Sequence, residues 1–173
     1  MRIPMRVFLD KLYNAAGYAA AFFMVGTLLM VVAGIADRVF ALGWRGTDMY
    51  AGYSMAACGF LALAHTFKRG EHIRVSLVLQ AVSARVRRML DIWSLLAAGA
   101  LTGALAFYSI KLAYQSWEFG DISTGNDATP LWIPQIAMAV GAVVLLIAFV
   151  DDLVMEMRGE RVEIAPDEAL RNE

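Results

Sequence analysis

A chain of 173 residues that is 60% hydrophobic and only 18% charged, with a mean hydropathy of +0.57, lies outside the range of ordinary soluble domains. Its net charge of −1 gives no global field to recruit nucleic acid or acidic substrates. Its single cysteine, Cys58, excludes an internal disulfide and any paired-cysteine redox centre, and reads as a small buried hydrophobe.

The chain opens with MRIPMRVFLDK, three positive charges and one negative, and then runs from Ala15 to Ala36 without a charge. Those twenty-two residues exceed the apolar core of a signal peptide, about 7–15 residues, and predict a retained membrane span over 15–36. A short connection with Trp44, Arg45 and Asp48 leads to a second apolar run, 49–67, in which Gly52, Ala56 and Gly59 would let another helix approach closely.

The basic stretch FKRGEHIRVSLVLQAVSARVRRML, Phe67–Leu90, carries six of the fifteen Lys and Arg residues. Read as a helix from Val75, its apolar residues (Val75, Val78, Leu79, Val82, Val86, Met89 and Leu90) fall on one stripe of about 120°. A connector helix over about 73–90 is therefore expected along the membrane surface, with Arg85, Arg87 and Arg88 toward lipid headgroups. Ile73 and Leu77, four apart, project off that stripe toward the polar side, facing either water or a partner for which they would form a docking ridge.

The third run, 92–110, holds Gly99 and Gly103 at the GxxxG spacing, which predicts a helix-packing face. Its helix is expected to continue past Lys111 through Tyr114 and Trp117 and to stop near Gly120. Thr129 followed by Pro130 reads as N-cap and first helical position of a fourth span, about 131–150. Asp151 and Asp152 close that span, and with Asp37 and Asp91 read as solvated boundary charges. The tail, 158–173, is polar.

The fold class expected is thus an all-α integral membrane protein: four transmembrane helices with an amphipathic interfacial helix between the second and third. The N-terminal segment, connector and tail hold twelve Lys and Arg residues, against three in Arg38, Arg45 and Lys111, which puts both termini in the cytoplasm. Trp44, Tyr50, Trp117 and Trp132 then form an outer aromatic belt, with Tyr13 and Trp93 in an inner one. No span has an acidic residue in its middle and none is broken to form a binding site, so no substrate path, catalytic residue, metal or cofactor is expected. A four-span redox anchor or cytochrome-like enzyme subunit is the alternative, for which only His65, His72 and Cys58 are available.

Two motifs carry a resemblance. The run Lys68-Arg69-Gly70-Glu71-His72-Ile73-Arg74-Val75 after the second span, and Pro130-Leu131-Trp132-Ile133-Pro134 opening the fourth after Ser123-Thr124, resemble the small membrane subunit (DctQ type) of tripartite ATP-independent periplasmic (TRAP) transporters. Ser76 stands where that family often has an acidic or other polar residue. The resemblance implies a bacterial inner-membrane protein without enzymatic activity of its own. Its partners would be a large membrane subunit (DctM type) that moves an organic acid with sodium, a periplasmic substrate-binding protein, and membrane lipids. The residues expected at the partner interface are Gly70, Glu71, His72, Ile73, Arg74, Leu77, Gly99 and Gly103.

Overall fold

The computed structural model describes residues 3–69 and 83–158, and they form four helices: α1 (Ile3–Phe40), α2 (Thr47–Lys68), α3 (Ala84–Glu118) and α4 (Trp132–Arg158). At 1.5 Å per residue their 38, 22, 35 and 27 residues extend about 57, 33, 52 and 40 Å, all at or beyond the ~30 Å of a hydrocarbon core. Three of them (α1, α3 and α4) are long and apolar enough to cross a membrane by length and composition. α2 is long enough but carries Thr47, Asp48, Ser54, His65, Thr66 and Lys68, which lower its hydropathy.

The helices pack in the order α1–α2–α4–α3, with α1 touching α4 only slightly. α2 and α4 are flanked on two sides, while α1 and α3 are edges that expose bulky apolar side chains such as Phe22, Leu28, Leu101 and Phe107. That placement explains how α2, the one described helix without a span-length stretch apolar enough to cross a membrane by itself, can be an inner one: much of its surface meets protein.

Two helical hairpins make up this row. The α1–α2 turn closes with Ala41 at φ 50, Gly43 at φ 76 and Gly46 at φ 83, and the Leu42 N–H reaches the Asp37 carbonyl at 3.3 Å. α3 ends at Glu118 in a Schellman arrangement: Gly120 takes φ 66 and the Asp121 N–H donates to Ser116 O at 2.9 Å. This stop agrees with the expected end near Gly120. α4 begins at Trp132, two residues beyond the expected start, because the Thr129 hydroxyl is engaged by Tyr50 at 3.1 Å and Pro130 pairs with Ile122 in a short bridge.

The connector helix expected over 73–90 falls largely outside the described residues. Its last part departs from expectation. Ser83 is extended (ψ 153), a new helix starts at Ala84, and residues 84–90 are continuous with the third apolar run. A surface helix unbroken through Leu90 is therefore absent.

The α3–α4 seam is lined by Leu95, Thr102, Ala106, Ser109 and Ser116, all buried. Four of them recur every seven residues, and the small side chains bring the helices close, as packing within lipid favours. Thr102 satisfies its hydroxyl on Ala98 O at 2.8 Å. A core of Tyr13, Ala16, Ala64, Phe67, Leu95, Val144, Leu145 and Ala148 fills the end of the row nearest the chain terminus. There Phe67 and Phe149 stack with ring centroids 4.3 Å apart.

Candidate functional site

Polar locks hold the row at both ends. At the connector end, Lys68 closes α2 and its ammonium donates to Asp152 at 2.7 Å and also to Asp151, both on α4. The three side chains are only 19%, 11% and 22% exposed, respectively for Lys68, Asp152 and Asp151. Reading Asp151 and Asp152 as solvated boundary charges is thus corrected: they are the counter-charge of a lysine that the sequence grouped with the basic connector. Tyr13 is corrected too. It is 3% exposed, with the Lys68 ammonium 5.4 Å from its ring centroid, and belongs to the core and not to an interfacial belt. Trp93 remains exposed.

Two further contacts reach α4 at this end. Arg6 of α1 donates to Met155 Sδ at 2.7 Å, and Arg88 of α3 to the Met157 carbonyl at 3.1 Å. Of the arginines expected at headgroups, Arg85 and Arg88 are exposed and Arg87 is half-buried. Arg88 thus spends a donor on the C-terminal turn of α4, whose carbonyls lack helical partners.

At the opposite end the 119–131 loop clasps the α1–α2 hairpin. Asp127 accepts from Ser123 Oγ at 2.7 Å and from Tyr53 OH at 3.1 Å, and the Gly125 N–H donates to Ser123 Oγ. Gly46 is required at this clasp: it holds φ +83, and a Cβ on it would lie 2.7 Å from Asp127 Cβ. Desolvation pushes the Asp127 carboxyl up, but hydrogen bonds from Ser123, Thr129, its own backbone and Tyr53 outweigh it and hold the group at about 2. A carboxyl so lowered stabilises the clasp above its ordinary value of 3.8, and that contribution is lost as pH falls through about 2. Asp127→Ala is expected to open the loop at neutral pH, read as faster protease cleavage within residues 121–130. Unchanged cleavage would show that the bridge at Ile122 and Pro130 suffices without the carboxylate.

Beside this clasp, Asp37 accepts the Trp44 N–H at 2.8 Å and Arg38 pairs with Asp48 at 3.0 Å. Both partners of the Arg38 pair are largely exposed, so it adds little stability. They border a polar cleft of about 260 Å³ that also includes Trp44, Arg45 and Asn126.

The expected partner residues are only partly described. Gly70, Glu71, His72, Ile73, Arg74 and Leu77 lie outside the described residues. Gly99 and Gly103 are on α3, half-exposed and off the buried seam. A Cβ on Gly99 would meet nothing within 4 Å, and one on Gly103 only Leu146 Cδ1 at 3.8 Å. Gly52 and Gly59 of α2 are equally open. The close approach within the chain is at Gly141 of α4, where a Cβ would lie 2.5 Å from Phe60 O. Opposite-sign charges at the ends of two spans could have revealed the Lys68 cluster. The seven-residue recurrence of small residues could have revealed the α3 seam. Nothing local marks Gly141.

His65 is half-buried, its ring seated on Gly17, where a Cβ would come within 2.8 Å of Cγ. Cys58 is half-buried and unpaired. Among the described residues no three His, Cys, Asp or Glu side chains gather as metal ligands would.

Long apolar helices in an open row, fastened at their ends by polar side chains, define a polytopic helical membrane protein. Within that class the assignment is specific. Residues 27–159 match the family of tripartite ATP-independent periplasmic transporters, DctQ component, and the chain belongs to that family. No curated protein matches the chain.

Proposed function

We propose that this chain is the small scaffold subunit of a sodium-coupled, binding-protein-dependent transporter that imports organic acid anions. In this reading it crosses the bacterial inner membrane four times, with both termini cytoplasmic, and stabilises the stationary part of a DctM-type large subunit. The observation that carries the proposal is membership of the DctQ family over most of the chain. Two features of the molecule support it. The row of helices is fastened at both ends, as a stationary element requires, and it has no acidic side chain at mid-span to bind a driving ion.

α2 counts as a fourth span on this reading, its modest hydropathy tolerated between α1 and α4. The open Gly99–Gly103 face and the Gly70–Leu77 stretch, with Glu71, His72, Ile73 and Arg74, form the contact with the large subunit. Arg85, Arg87 and Arg88 meet lipid headgroups, Arg88 through the donors left beside its Met157 contact. The periplasmic binding protein is received at the end bearing the polar cleft.

The arrangement has a direct test in a Cys58→Ser background. A cysteine at Asn126 is expected to react with an impermeant thiol reagent added from the periplasmic side, and one at Ser83 to react only after permeabilisation. Both positions are exposed, so the reverse pattern would place the clasp in the cytoplasm and remove the orientation.

A further inference from the structure

α2 and α4 form the seam that joins the two hairpins, and they run parallel. Tyr53, Phe60 and Lys68 of α2 meet, in order, Asp127, Gly141 and Asp152. The short 41–46 turn and the hydrogen-bonded 119–131 loop set the register inside each hairpin, but no such connection links α2 to α4, since the connector and all of α3 come between them. Nor can lipid select the register, because acyl chains are as apolar as the faces being matched. The Tyr53–Asp127 contact ties α2 to the loop before α4 and not to α4 itself, so the seam needs a reference on its own helices.

We infer that Lys68 with Asp151 and Asp152 is that reference: a charge-coded register lock that selects which faces of the hairpins pack and adds little net stability. Two adjacent carboxylates stand about 100° apart around a helix. A lysine that engages both at once fixes the rotation of α4 as well as its height, which a single carboxylate would not do. A one-residue slip would strand poorly exposed charges without partners, and this is far costlier than misplaced apolar contacts. Removing all three charges together leaves none of the three stranded. The wrong registers then come within reach while the right one keeps its stability.

The lock is a property of this chain alone, so its test needs no partner. In the full-length chain with Cys58→Ser, Ala148→Cys places a thiol at a fully buried core position, read by its reaction with N-ethylmaleimide in detergent. With the lock intact the thiol is expected to be protected. Lys68→Met alone is expected to lower the thermal midpoint and expose it. The neutral triple, Lys68→Met with Asp151→Asn and Asp152→Asn, is expected to regain a near-wild-type midpoint yet label about tenfold faster, as a seam with competing registers opens more often. The reversed cluster, Lys68→Asp with Asp151→Lys and Asp152→Lys, keeps one charge facing two opposite ones and is expected to restore protection.

A neutral triple that stays protected would show that packing alone sets the register. A neutral triple that fails to fold would show that the charges stabilise and do not select. A reversed cluster that folds but labels fast would show that charge complementarity is not the code. Each of these results overturns the lock.

Discussion

Gly141→Leu is expected to be the most damaging single substitution in the membrane-embedded part of the chain. A Cβ at this position would sit 2.5 Å from the Phe60 carbonyl oxygen and 2.6 Å from its carbonyl carbon, and these backbone atoms cannot rotate away as a side-chain tip would. α2 is held by Tyr53 at one end and Lys68 at the other, so it cannot step aside without breaking a lock. The cost should reach about 3 kcal/mol, the upper part of the range for overpacking a tight contact. It would appear as a large fall in thermal midpoint and loss of a monodisperse species in detergent. Gly99→Leu with Gly103→Leu provides the contrast. Those positions open onto free space or a 3.8 Å contact, so the isolated chain should keep its midpoint while capture of the large subunit falls. If the Gly141 variant is as stable as wild type, or the Gly99/Gly103 pair unfolds the isolated chain, the two faces have been assigned the wrong way round.

The four helical segments were legible because a run of about twenty uncharged residues has few other uses, and three of them (α1, α3 and α4) are apolar enough to span a membrane. Their ends were less so. α1 extends back to Ile3 and α3 back to Ala84, since polar turns outside the apolar core still make good helix. Which face of each helix is buried depends on neighbours distant in sequence. The GxxxG spacing pointed to Gly99 and Gly103, whereas Thr102, Ser109 and Ser116 take the intrachain seam and Gly141, with no glycine partner, takes the closest approach.

Charges were misjudged for a related reason. Asp151, Asp152 and Lys68 each sit at a span boundary, where solvation is the ordinary fate, and only the packing of α2 beside α4 brings them together. Thr129, from its place before Pro130, has the sequence signature of a helix cap. The clasp takes its hydroxyl instead, because Tyr50 reaches it across the loop. The family was the most legible feature of all: motifs at Lys68–Val75 and Pro130–Pro134 pointed to it, and residues 27–159 match it.

The central claim is that this chain supports transport without performing it. Vesicles holding this chain alone, the large subunit alone, or both test it most directly. Each is supplied with binding protein loaded with its organic acid and an inward sodium gradient. With no acidic side chain at mid-span to coordinate an ion, the chain alone should match empty vesicles. On the proposed function the large subunit alone should be poorly active, and accumulation should appear only when the two are together. Sodium-driven uptake by this chain alone, or full uptake by the large subunit without it, would contradict the account.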